Sequence, residues 1–170
     1  MPLRRLPVPL VLTALVLAGA AHADDAADIQ RLQRSGDLSA ALQRAEKAVA
    51  ANPRDAKLRF LQGVTLLDLQ RDEAAMAVFR QLTEDYPELP EPYNNIALLH
   101  ARAGRLEAAR AALETALRND PTQVTARQNL GDIHLRLALQ AWSEAAAAMP
   151  GDGALQRKLR IARELVAPAR

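Results

Sequence analysis

Cysteine is absent from the 170 residues. That rules out a disulfide framework, a Cys-based metal site and thiol catalysis, and leaves stability to packing alone. Aromatic residues make up only 3% of the chain while hydrophobic residues make up 49%, so the core must be built from Ala and Leu. Such a core favours closely packed helices over a sheet, which would draw on Val, Ile, Tyr and Phe. Also missing are H-E-x-x-H, G-x-S-x-G and a glycine-rich phosphate loop, the arrangements that zinc, serine and phosphoryl chemistry require. Carboxylates are scattered, with no pair that spacing forces together. The reading is a non-catalytic chain without cofactor or metal.

A usable basic excess is lacking too. The formal +2 comes from 22 basic and 20 acidic residues, and Arg4 and Arg5 lie in a segment expected to be removed. "MPLRR" is a short basic start, "LPVPLVLTALVLAGA" an apolar run, and Ala21-His22-Ala23 a small-x-small cleavage signature before "DDAAD". In that order they make a secretory signal peptide over residues 1–23, cleaved after Ala23. The run is short for a membrane span, which needs about 20 apolar residues, and Pro7 and Pro9 weaken it as a helix. No Cys follows it, which excludes a lipoprotein anchor. The mature chain balances at 20 basic against 20 acidic residues, so nothing is left over to neutralise phosphates and nucleic acid is not a partner. The expected compartment is the periplasm, with no stable membrane insertion after cleavage.

Repetition is what the chain has in place of motifs. Pro53, Pro87 and Pro121 stand 34 residues apart, and so do Ala41, Ala75 and Ala109. Gly63, Ala97 and Gly131 share a third phase, and Gly36 and Gly104 a fourth, in "RSGDLSAA" and "RAGRLEAA". Small residues at the Ala41 and Gly63 phases let helices approach closely; Gly36 and Gly104 stop a helix in the left-handed conformation; the prolines block continuation of the next.

This set resembles the tetratricopeptide repeat (TPR), a 34-residue helix-turn-helix with the pattern W-x2-L-G-x2-Y…A-x3-F…P. Repeat two matches at Gly63, Ala75, Phe79 and Pro87. Repeat three matches with Tyr93 in the Trp slot, then Ala97, Ala109, Ala116 and Pro121. Repeat one keeps Ala41, Ala48 and Pro53 but carries Ile29 in the Gly slot. The resemblance implies an all-α TPR solenoid of about three full repeats, a shortened fourth and a C-terminal capping helix. The expected repeats are 24–54, 55–88, 89–122 and 123–150, with the cap at 151–170.

The fourth repeat departs from the pattern. Pro121 to Pro150 is 29 residues, not 34, and no Gly or Pro other than Gly131 interrupts 123–148. One long helix is predicted there, without the turn between helices. The closing stretch "ALQRKLRIARELV" spaces Leu155, Leu159, Ala162 and Val166 for burial, with Arg157, Lys158, Arg160 and Arg163 on the other face. "EDYPELPEPYNN", over 84–95, reads as a stiffened joint between repeats. Pro87 closes one, and Pro90 and Pro92 open the next helix, where a missing N–H costs little.

The resemblance implies a concave groove lined by first-helix residues. Its slots fall on Lys57, Phe60, Val64, Leu67 and Asp68, then on Glu91, Asn94, Leu98 and Arg102, then on Thr125, Gln128, Asp132, Leu135 and Arg136. The last slot reads Arg34, Asp68, Arg102, Arg136, a row able to hold carboxylates by bidentate bonds; the plainer reading has these cations offsetting helix dipoles and pairing with Asp68. The clamp that chaperone-binding TPRs use for a terminal carboxylate is met here only at Asn95, since Phe60, Val64, Thr125 and Asn129 stand in its other slots. His100 and His134 share the repeat's Tyr slot and are expected to pack between helices.

The implied function is a periplasmic adaptor that binds a protein or peptide. "LTEDYPELPEPYNN" with "NLGD…LALQAWSEA" looks like the TPR part of proteobacterial envelope proteins, some linked to peptidoglycan-related assembly. The alternative is a self-assembling module, a homodimer seated by Trp142 on the long helix.

Overall fold

A computed structural model describes residues 14–166, with side chains from Asp24 onward. The expected signal peptide lies outside the described residues, apart from the backbone of 14–23, which is helical. Eight helices and no strand occur among the described residues. The chain divides into two compact units, Met1–Arg71 and Asp72–Arg170.

The first unit holds α1 (Ala14–Arg34), α2 (Leu38–Ala51) and α3 (Ala56–Asp68). Each later helix begins at an acidic cap: Asp37 accepts from Ala40 N at 3.1 Å and Asp55 from Leu58 N at 3.0 Å. Such a cap satisfies one of the four orphan amides at a helix start. Ala26, Ile29, Ala45, Ala48, Leu58 and Leu61 form the core. Ile29, in the glycine slot, is fully buried, so this repeat fills the slot with volume. Gln33 bridges α1 to α3: its Nε2 donates to Thr65 Oγ1 at 2.9 Å and to Leu61 O at 3.4 Å, and Thr65 Oγ1 donates to Leu61 O at 2.7 Å.

The second unit holds α4 (Asp72–Asp85), α5 (Pro90–Arg102), α6 (Leu106–Asn119), α7 (Val124–Ala148) and α8 (Gly153–Val166). Pro90 opens α5 as expected, and Pro92 in its first turn is buried. Pro87 O accepts from Asn119 Nδ2 at 2.7 Å, tying the joint to the end of α6. Ala97, Ala109, Leu113, Ala116, Ala126 and Ile133 form the main core, flanked by Tyr93 and Leu130.

The turns after α1, α3 and α5 share one construction. A residue with positive φ stands at Gly36 (78°), Gln70 (58°) and Gly104 (72°), each 34 from the next. The following amide reaches back five residues in every case: Asp37 N to Leu32 O, Arg71 N to Leu66 O, Arg105 N to His100 O, at 3.1, 2.9 and 2.9 Å. This is the Schellman closure of a helix. Gln70 is the departure, a side chain in a conformation that glycine adopts without steric cost. The fourth equivalent, Ala138, sits inside α7, and the helix runs on.

That continuation corrects one expectation. Gly131 was assigned to a close helix approach, yet it is exposed, and a Cβ there would have nothing within 4 Å. The cause is the missing turn: α7 never folds back, so no second helix of its repeat covers Gly131. Distal α7 is instead covered by α8, through Trp142, Ala145 and Ala146 against Leu155 and Leu159. Lys158 Nζ stands 5.6 Å from the centre of the Trp142 ring, within cation–π range. Trp142, expected to seat a homodimer, is therefore engaged by its own chain. The outer face of α8 is also less polar than expected, since Ile161 and Leu165 are exposed beside the basic residues.

Candidate functional site

The site slots on α5 and α7 meet in the second unit. A pocket of about 130 Å³ is floored by Ala97, Ala101, Leu113 and Ile133, with Leu98, Arg102, Asn129, Asp132 and Arg136 around it. Its volume suits one aliphatic side chain. Helical spacing makes this geometry: Leu98 and Arg102 are i and i+4 on α5, Asp132 and Arg136 i and i+4 on α7. Four expected groove residues thus line one cavity.

The polar rim is differentiated. Arg102 Nη1 lies 3.1 Å from Asp72 Oδ1 at the start of α4. The carboxylate beside it is Asp72, which corrects the assignment of that place to Asp68. Arg136 is exposed and, among the described residues, meets no carboxylate. Asn94, a groove slot within the joint, accepts from Asn129 Nδ2 at 2.8 Å through its side-chain oxygen and is half-buried. Its amide holds α5 to α7, and both Asn side chains are so far committed to structure. Gln128 is exposed on α7, one turn before Asp132.

In the first unit, Lys57 and Asp68 are exposed on α3, while Phe60 and Val64 are half-buried there. Leu67 is not a groove residue: it is 6% exposed and belongs to the core, because it falls on the inward side of α3 beside Leu66. In the second unit, Thr125 and Glu91 are exposed and Leu135 is half-buried.

The histidines differ from one another. His100 Nδ1 accepts from Arg105 Nε at 2.9 Å, and burial first, then Arg105 and Arg80, lowers its pKa. His134 is exposed, which corrects the expectation that both pack between helices; the helix that would cover it is the one the fourth repeat lacks. Among the described residues no group of three His, Asp or Glu side chains is placed to hold a metal ion, and no helix is long and apolar enough to cross a membrane.

Two family models, each described as tetratricopeptide repeat, match residues 26–90 and 90–133. Together they span most of the chain. The chain belongs to the tetratricopeptide repeat family. Its fold is the all-α TPR fold expected from the phased residues. Solved structures share this fold. The first TPR of Spaghetti (RPAP3) bound to the HSP90 peptide SRMEEVD is 17% identical with a TM-score of 0.63, covering 69% of this chain and 93% of that one. The Yersinia enterocolitica type III secretion chaperone SycD, in complex with a peptide of the translocator YopD, is 13% identical with a TM-score of 0.62, covering 69% and 95%. MamA is 18% identical with a TM-score of 0.59, covering 80% and 82%. At these identities the likeness is one of fold. No curated protein sequence matches the chain.

Sequence reasoning missed two features of the second unit. Asp72 as the partner of Arg102 is 30 residues away, and spacing within one helix could not find it. The Asn94–Asn129 bond joins residues 35 apart, one more than the repeat, a hint available in the sequence.

Proposed function

We propose that this TPR chain is a non-catalytic adaptor, exported to the periplasm, that binds an extended protein segment on its first-helix faces. One observation carries the reading: an apolar pocket of about 130 Å³ with a guanidinium at its rim, Arg136, that meets no carboxylate among the described residues. A segment with one aliphatic side chain beside a carboxylate fits that chemistry. The aliphatic group would leave water for the floor of Ala97, Ala101, Leu113 and Ile133, and the carboxylate would take a charge-assisted bond. Lys57, Phe60, Val64 and Asp68 hold the same repeat slots on α3, and Asn94, Leu98, Arg102, Gln128, Asp132 and Arg136 those on α5 and α7. They are assigned to partner binding on the strength of repeat phase.

The RPAP3 and SycD structures are named for peptide complexes, which supports protein binding as the general role. The residues here favour a different ligand from a chaperone tail, since Asn129 is held by Asn94 and Phe60 and Val64 are apolar. Export rests on the basic start, apolar run and Ala21-His22-Ala23 signature. A role in cell-envelope or peptidoglycan-related assembly follows by analogy alone. Crosslinking capture from envelope fractions tests the binding site: wild type should retain partners that Leu98→Asp and Arg136→Glu lose. Equal capture by all three would remove this pocket as the site. Fractionation of the native protein tests the compartment, and recovery from the cytoplasm with residues 1–23 intact would refute export.

A further inference from the structure

Arg136 has a counterpart of opposite sign at the same pocket. Asp132 stands one turn before it on α7, lines the cavity of about 130 Å³ and is exposed. Four residues apart on a helix, an Asp and an Arg are placed to pair. Here they do not, and among the described residues Asp132 meets no cation. The charges are also ordered along the cavity. The Asn94–Asn129 bond ties α5 to α7 at 2.8 Å. Asp132 comes less than a turn past that bond, Leu98 and Ile133 one turn past it, and Arg102 and Arg136 two turns. One end of the cavity is therefore acidic and the other basic, with an apolar floor between them.

We propose that the segment held here is charge-ordered, with a cationic side chain against Asp132, an aliphatic one in the pocket and a carboxylate against Arg136. This rests on the reading of the pocket as a partner site and adds a third group to the ligand. Charge complementarity carries it. A ligand bearing only a carboxylate, drawn to Arg136, would come within about a turn of the like charge on Asp132. A cation on the same ligand turns that repulsion into attraction, so Asp132 selects against purely acidic segments. The spacing agrees. In an extended segment, residues two apart share a face, so the charged residues stand two before and two after the aliphatic one. Those two are about 13 Å apart. The rise from Asp132 to Arg136 is about 6 Å, which leaves about 3 Å for a hydrogen bond at each end. The pattern is a cation, a spacer, an aliphatic residue, a spacer and an acid, read in the chain direction that the site favours.

Methyl-detected NMR titration of the purified protein with capped five-residue peptides tests this. The probes are Lys-Thr-Leu-Thr-Glu, the same peptide reversed, and versions of each with Gln for Lys or Asn for Leu. In the tighter-bound order, the parent peptide should shift the methyls of Ala97, Ala101 and Ile133. Its Gln version should bind about fivefold more weakly, and its Asn version should leave those methyls unmoved. Asp132→Asn should close the gap between the Lys and Gln peptides, with helix content checked by circular dichroism. Equal affinity of the Lys and Gln peptides for wild type overturns the charge order and leaves the aliphatic pocket with Arg136 standing. A gap that survives in Asp132→Asn overturns the charge order too. Floor methyls that no peptide shifts overturn both the charge order and the reading it rests on.

Discussion

Arg105 Nε donates to His100 Nδ1 at 2.9 Å across the turn that joins α5 to α6. Only a neutral imidazole can accept that bond. Partial burial and the charges of Arg105 and Arg80 hold the His100 pKa below its ordinary value of 6.5. The sign follows from linkage. A histidine whose folded pKa is depressed stabilises the fold above its unfolded pKa, and that contribution is lost as pH falls through the folded value. The melting temperature should therefore fall as buffer moves from pH 7.5 to pH 5. His100→Gln keeps an acceptor that does not titrate, and its melting temperature should vary less over the same interval. An unchanged slope in His100→Gln would assign the pH dependence elsewhere.

Left-handed backbone gives the second prediction. Gly104 has a φ of 72° and open space where a Cβ would stand, so Gly104→Ala meets a conformational cost alone, about 1 kcal/mol. At Gln70, with a φ of 58°, the reverse substitution helps. A non-glycine residue loses roughly 1–2 kcal/mol in this conformation. Glycine's added freedom in the unfolded chain offsets about 0.4–1 kcal/mol of the gain. Gln70→Gly should thus stabilise by about 0.5–1 kcal/mol, read from urea midpoints at constant slope.

Gln70 also shows where the sequence stopped being legible. Period and phase marked the helix ends near Gly36, Pro53, Pro87, Gly104 and Pro121, because Pro and Gly at fixed offsets act through backbone sterics that reach only a few residues. The same turn forms at Gln70 without glycine because the closing amide bond and the flanking helices over-determine it. Gly131 and His134 were misplaced for the opposite reason: their slots are defined by a neighbouring helix, and in repeat four that neighbour is missing. Leu67 was given to the groove because one helical step separates lining from core on α3. The rim of the pocket was legible residue by residue, but its pairing was not, since Asp72 reaches Arg102 through the fold.

Phe79 sets the scale for the core of the second unit. With an aromatic content of 3%, each ring carries a large share of buried area, and Phe79 is 0% exposed on α4. A fully buried ring leaves a cavity that the surrounding helices close only in part. Phe79→Ala should cost about 3–5 kcal/mol. Chemical denaturation should show this as a lower midpoint, and Phe79→Leu should lose about half as much or less.

The two guanidiniums at the pocket should contribute unequally to partner binding. Arg102 and Asp72 are each 44% exposed in side chain, at 3.1 Å, so their pair adds under about 1 kcal/mol to stability. Its weight falls on binding instead: a ligand carboxylate must compete with Asp72 for Arg102, whereas Arg136 has no carboxylate to give up. A charge-assisted bond contributes about 1.5–3 kcal/mol, or roughly 10–150-fold in affinity. Arg136→Ala should approach that loss and Arg102→Ala should fall well short of it. Removing the competitor reverses the effect, so Asp72→Asn should tighten binding with little change in melting temperature. Anisotropy titration of a labelled segment from the captured partner measures all three. Equal losses at Arg102 and Arg136, with Asp72→Asn neutral, would show that the Asp72 pair does not govern access to Arg102.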